Sequence, residues 1–232
     1  QLFWFAKQFN DSKIPNKSNL KLMKDIEIPD GHDWTSIGNI TDKFFKGNIE
    51  GNHHVISGLR PANDNTSYKR GLVARIQAEK VQNLGLVLEG GWSYGLCYTA
   101  YGANIQNCFV VGTHFLNSSE NGTVTNCLAV SGKLEGTSNS MNNRASFTNC
   151  YETTKGTFSS WGGITTLDSE EKLEKLKSGE IAYKLNGEKS EGIWGQVIGM
   201  ENYPHFRKYS KTVYYDQATD TYSNNLAASI TS

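Results

Sequence analysis

Carboxylates, thiols, imidazoles and aromatic rings are the groups in this chain that could do chemistry, and their spacing decides which chemistry is open to them. From Val81 to Gly163 the carboxylates are Glu89, Glu120, Glu135 and Glu152. Glycoside hydrolysis needs two such groups at a set separation, and lyase chemistry needs clustered acids with Ca²⁺ or a basic side chain beside them. These four stand at different phases of the repeat described below. They are not expected to converge, and no residue is assigned a catalytic role. His53 and His54 are neighbours. Adjacent strand residues face opposite ways, so the pair does not easily hold one metal, and both read as solvated turn residues. Asp30-Gly31-His32-Asp33 lacks the alternating acids and distal Glu of a calcium loop and reads as a turn. Cys97, Cys108, Cys127 and Cys150 include no Cys-x-x-Cys, which argues against zinc. Three of them recur at one place in the repeat, as a stack of small buried hydrophobes would. A disulfide between neighbouring copies is the other reading, although in-register stacking rarely gives the torsion it needs. The glycines follow no phosphate-cradling or nucleophile-elbow order. No metal and no cofactor is expected.

Aromatic rings are the remaining chemical signal. Trp92, Tyr94, Tyr98 and Tyr101 crowd one Gly-rich segment, and positions 92, 94 and 98 can share a strand face. An exposed aromatic row stacks on sugar rings or anchors a protein partner. The competing reading is ordinary core and turn aromatics, since large rings are usually substantially buried.

These groups must be positioned by a repeat. Val81-Gln82-Asn83-Leu84, Ile105-Gln106-Asn107-Cys108, Val124-Thr125-Asn126-Cys127 and Phe147-Thr148-Asn149-Cys150 share one pattern: apolar, polar, Asn, then Leu or Cys. Their starts are 24, 19 and 23 residues apart. A period of roughly 20 residues marks a solenoid, in which each coil buries its apolar side against the next. Alternation on both sides of each Asn predicts two short strands. A bend at Asn, which tolerates the left-handed conformation, joins them. Asn83, Asn107, Asn126 and Asn149 would then stack as a ladder beside Cys108, Cys127 and Cys150.

Gly71-Leu72-Val73-Ala74 followed by Val81-Gln82-Asn83-Leu84 resembles the GLUG motif, a right-handed β-helix repeat of bacterial surface proteins. Tyr94-Gly95-Leu96-Cys97 followed by Ile105-Gln106-Asn107-Cys108 is similar, and the third and fourth phrases keep only the Asn-Cys part. The flanks resemble the lead-in and ending of such proteins from gut and oral Bacteroidales. The lead-in is carried by Trp34-Thr35-Ser36-Ile37-Gly38 and the ending by Ser178-Gly179-Glu180-Ile181-Ala182-Tyr183. The resemblance covers roughly residues 1 to 206. It implies an extracellular or cell-surface location and a non-catalytic module for adhesion, display or spacing, with host or dietary glycan or a surface protein as partner. Because parallel β-helices also include lyases and glycoside hydrolases, the alternative it implies is a polysaccharide-active enzyme.

The flanking segments predict the ends. Leu2, Phe5 and Phe9 form one face of a helix. Asp168-Ser169-Glu170-Glu171 reads as a helix start, with a second short helix to Leu185. The expected fold is all-β: a right-handed parallel β-helix with short α-helical caps at the N-terminus and near residues 168–186. It is expected to be one domain over 1–206, with a hairpin or linker tail over 207–232. A hydrophobic fraction of 37% with 23 glycines suits many short strands and turns better than a helical bundle. Lys plus Arg and Asp plus Glu are 23 each, so no basic excess invites nucleic acid. No apolar run approaches the ~20 residues of a membrane helix. A start at Gln1, in mid-pattern and without a signal peptide, suggests a mature or trimmed piece.

Overall fold

The computed structural model describes residues 1–39, 41–61, 71–88, 94–135, 144–155 and 162–226. Strands hold 41% of the described residues and are mostly paired in parallel. Contacts divide the chain into two compact units, Gln1–Thr165 and Thr166–Ser232. The boundary drawn from the sequence lay at 206.

The first unit begins with helix α1 (Leu2–Asn10). It continues through β1 (Leu20–Lys21), β2 (Ile26–Glu27), β3 (Asp33–Trp34), β4 (Ile49–Pro61), β5 (Val73–Ile76), β6 (Lys80–Leu88) and β7 (Tyr94–Tyr101). Then come β8 (Asn104–Gln106), β9 (Phe109–Val111), β10 (His114–Glu120), β11 (Thr123–Thr125) and β12 (Leu128–Val130). It closes with β13 (Ser146–Thr148), β14 (Cys150–Glu152) and β15 (Ile164–Thr166). The strands line up in three parallel stacks. The arms before each Asn put Ile49, Val81, Ile105, Val124 and Phe147 in one register, all buried. The arms after it align Ile56, Leu86, Val110, Ala129 and Glu152. The third stack is β5, β7 and β10, with Val73, Cys97 and Leu116 in register.

Each Asn corner is left-handed, with φ between 50° and 55° at Asn83, Asn107, Asn126 and Asn149. The side-chain amides form a directed chain. Asn149 donates to Asn126 (2.8 Å), Asn126 to Asn107 (3.2 Å), and Asn107 to Asn83 (3.3 Å). Asn83 donates to a Glu50 carboxylate oxygen at 3.1 Å. At the far end the Tyr151 hydroxyl donates to Asn149 at 2.9 Å. A second row runs from Gln106 to Gln82 (2.9 Å) and from Gln82 to Glu50. Glu50 therefore terminates both rows. It can do so because the β4 corner is longer: Gly51, Asn52 and His53 stand against the single Asn83 of β6. Gly51 is forced there by the backbone of Asn83, since a Cβ would lie 2.2 Å from its carbonyl oxygen.

Helix α1 buries Leu2, Ala6 and Phe9 and sets Phe9, tilted, and Phe5, edge to face, against Phe45 at 5.6 and 6.3 Å. Asn10 clasps its end to the chain opposite. Its amide donates to Ser36 O (3.1 Å), and its carbonyl accepts from Gly38 N (2.7 Å).

The second unit contains α2 (Glu170–Lys177), α3 (Glu180–Leu185), β16 (Trp194–Gly195), β17 (His205–Phe206), β18 (Tyr214–Asp216) and β19 (Thr221–Ser223). Ser169 caps α2, and Glu170 and Glu171 in the first turn face the positive end of its dipole. Strands β18 and β19 form an antiparallel hairpin whose Tyr215 and Tyr222 rings each sit 5.7 Å from Tyr183 of α3. Asn224 accepts from Ile198 N (2.8 Å) and donates to Gln196 O (2.7 Å) and Thr212 O (2.8 Å). Up to residue 226, the described part of the segment after 207 contains this hairpin, packed on Tyr183.

One sequence reading is corrected. His54 is not a solvated turn residue: it is buried, and its Nδ1 lies 3.0 Å from Asp25 Oδ1. The same Asp25 oxygen accepts Val55 N at 2.9 Å. The long corner turns His54 inward, where a carboxylate must meet it. His53 takes the left-handed conformation (φ 60°).

Candidate functional site

The third strand stack carries the aromatic segment. Along β5 the chain runs buried, buried, half-exposed, buried from Val73 to Ile76, so Arg75 emerges while Ile76 points to the core. Arg75, Thr99 and Ser118 share one register across β5, β7 and β10, and all three are half-exposed. The Thr99 and Ser118 hydroxyls are 3.2 Å apart. Phe45 bridges to Ile76, which brings Phe44 beside Arg75. The guanidinium stands 4.4 Å from the Phe44 ring centroid and 6.0 Å from that of Tyr101. Tyr101 faces Glu120 across the β7–β10 pairing.

Towards the start of β7, Tyr94 meets Tyr98 edge to face at 5.7 Å and His114 at 6.4 Å. The backbone N–H of Lys133 donates to His114 Nδ1 at 3.2 Å, so the neutral ring carries its proton on Nε2. Burial, reinforced by Lys133 and opposed by Glu152, holds His114 below the usual histidine range. Of the sequence-assigned ligand residues, Tyr94, Tyr98 and Tyr101 thus lie half-exposed on this stack. Trp92 lies outside the described residues. Sequence reasoning passed over Phe44, Arg75, His114, Thr99 and Ser118. Arg75 was within reach, because it directly follows Gly71-Leu72-Val73-Ala74 and aligns with the segment after Leu96-Cys97.

The acids behave otherwise. Glu135 is 2% exposed and Glu152 1%. Glu135 accepts Ser119 N (2.6 Å), Ser119 Oγ (2.8 Å) and Arg144 Nε. Glu152 accepts Leu134 N at 2.9 Å. Both close backbone amides at the end of the stacks, where the apolar register runs out. Glu120 is half-exposed, and Glu89 lies outside the described residues.

The four cysteines are buried and free. Each ladder thiol donates back to the carbonyl two residues earlier: Cys108 to Gln106 O (3.1 Å), Cys127 to Thr125 O (3.3 Å) and Cys150 to Thr148 O (3.2 Å). Burial pushes the Cys97 and Cys127 thiols up, away from the reactive thiolate. Among the described residues, no three His, Cys, Asp or Glu side chains are placed to hold a metal ion.

A concavity of about 960 Å³ lies beside α1 and the outer edge of β1 and β2, lined by Phe3, Trp4, Leu22 and Met23 among others. It is predominantly apolar: Phe3, Trp4 and Phe5 supply rings and Lys21 and Lys24 cations, but no hydroxyl side chain lines it.

Two titrations set a pH dependence for the fold. Burial raises the Glu50 carboxyl, but donors from Gln82, Asn52 N and Asn83, with the nearby His53, outweigh it and leave the group below the usual carboxylate range. Its folded pKa is depressed, so its contribution is present at neutral pH and lost as pH falls through that range. His114 is also depressed, so the cost of charging it appears as pH falls below its ordinary value of about 6.5. Both signs agree. The thermal midpoint will fall from pH 7 to pH 4. His114→Gln will remove the upper part of the fall and Glu50→Gln the lower part. A midpoint independent of pH in scanning calorimetry would contradict both assignments.

Compared with protein-family models, curated proteins and solved structures, the chain matches none significantly. No helix among the described residues is long and apolar enough to cross a membrane.

Proposed function

We propose that this chain is a non-catalytic, cell-surface module: a right-handed parallel β-helix that displays a glycan-binding face on its β5–β7–β10 stack. Three parallel strand stacks, two of them joined at left-handed Asn corners, support the solenoid reading, and α1 would shield its N-terminal edge. The single observation that carries the function is that two half-exposed groups share the β5–β7–β10 stack: Tyr94 with Tyr98, and Arg75 with Tyr101 and the neighbouring Phe44 ring, with Thr99 and Ser118 in the Arg75 register. Rings supply flat apolar contact for sugar faces, and hydroxyl and cationic groups supply the polar contacts. The resemblance to GLUG-motif surface proteins points the same way. A polysaccharide-active enzyme would need a pair of carboxylates open to substrate, whereas Glu135 and Glu152 face inward.

The test is a glycan array followed by titration calorimetry on any sugar bound. Tyr94→Ala with Tyr98→Ala will weaken binding about tenfold, from the loss of two stacking rings at roughly 0.5–1.5 kcal/mol each. The thermal midpoint will move by only a few degrees, because both rings are half-exposed. Unchanged affinity, or cleavage of the bound polysaccharide, overturns the reading.

A further inference from the structure

The chemistry of the face selects among glycans. We propose that it binds acidic polysaccharide and that Arg75 reads the carboxylate of a uronic acid residue. This rests on the glycan-binding reading above. Arg75 is held over the Phe44 ring and beside that of Tyr101, at 4.4 and 6.0 Å. Among the described residues no carboxylate pairs with it. Most arginines on a protein surface are mobile, and ordering one on binding costs side-chain entropy. Here two rings hold the guanidinium before any ligand arrives, while its N–H fork stays unspent. A planar fork of that kind matches a planar carboxylate through two parallel N–H···O bonds.

The neighbouring groups fit a sugar better than an acidic peptide. Thr99 and Ser118 continue the Arg75 register across the sheet, at about 4.8 Å per strand, which places one hydroxyl residue on the strand next to Arg75 and a second on the strand beyond it. Glu120, half-exposed opposite Tyr101 two strands from Arg75, is an acceptor for sugar hydroxyls. It also disfavours a ligand with closely packed negative charge. One carboxylate per sugar ring, spaced along a chain of hydroxyls, satisfies both ends of this surface.

The probes are oligogalacturonate and its methyl ester at equal chain length, with neutral xylo- and cello-oligosaccharides alongside. The native protein will bind the free acid about tenfold or more tighter than the ester, as expected for a charge-assisted bidentate contact, and added salt will narrow the gap. Arg75→Gln will abolish the preference, so that free acid and ester bind with equal affinity. Arg75→Lys will restore it only in part, because a point charge lacks the fork. Equal binding of acid and ester by the native protein overturns the carboxylate proposal while leaving the glycan reading intact. A preference that survives Arg75→Gln does the same. Absence of binding to every probe, neutral and acidic, overturns both. The acid-to-ester comparison needs only the native protein, so it decides the proposal even if a variant fails to fold.

Discussion

Arg144→Met will lower the unfolding free energy by about 3 to 5 kcal/mol, the range found when one member of a buried ion pair is removed. The arginine side chain is 7% exposed and that of Glu135 1%. The guanidinium also lies 4.9 Å from the Phe147 ring centroid. The substitution leaves a carboxylate in the core with only the Ser119 N–H and hydroxyl to stabilise it. The double variant Glu135→Gln, Arg144→Met will recover most of the loss. Glutamine keeps an oxygen to accept from Ser119, and no charge is left behind. Urea unfolding of the two variants and the native protein gives the comparison. A single variant within about 1 kcal/mol of native would show that the pair is solvated. Recovery in the double variant separates stranded charge from lost packing, since the methionine is common to both.

Gly51→Ala will cost about 3 kcal/mol or more, with loss of cooperative unfolding as the extreme outcome. The new Cβ would stand 2.2 Å from Asn83 O and 2.5 Å from Leu84 Cα. Both atoms are backbone, so neither can step aside without opening the β4–β6 pairing. That pairing also places Glu50 to receive the Asn83 and Gln82 amides, so the strain reaches the start of both amide rows. Gly31→Ala is the control. Gly31 has φ 81° and nothing within 4 Å of its Cβ position, so it incurs only the left-handed penalty of about 1–2 kcal/mol. Equal losses at the two sites would show that the β4 corner is loose.

How much of this could be read beforehand depends on whether the information is local. The Asn corners were legible because a left-handed bend favours Asn over almost every other non-glycine residue, and four such bends recur with the same apolar neighbours. Helix α1, read from Leu2, Phe5 and Phe9, and the helix start at Asp168-Ser169 were legible for the same reason: periodicity and capping act within a few residues, although Ala6 is buried where Phe5 is only half-buried. The β18–β19 hairpin was legible as a segment, but its packing against Tyr183 was not.

Everything that depended on register between copies was decided by the tertiary structure. In a parallel stack, each strand's partner lies well away along the chain, and any insertion in a corner or loop resets which residue meets which. Three residues in the β4 corner where β6 has one are enough to bring a glutamate to the head of an asparagine ladder and to turn His54 inward onto Asp25. Glu152 follows the same logic. It occupies the inward position of Ile56, Leu86, Val110 and Ala129, and Leu134 N meets its carboxylate there. Arg75 acquires its two rings from segments some thirty residues before it and twenty-six after it in the chain (Phe44 and Tyr101). The sequence by itself determined that the chain turns at Asn and alternates between turns. The parallel pairing of one strand with the next decided which side chains became core, which became ladder ends, and which were left half-exposed.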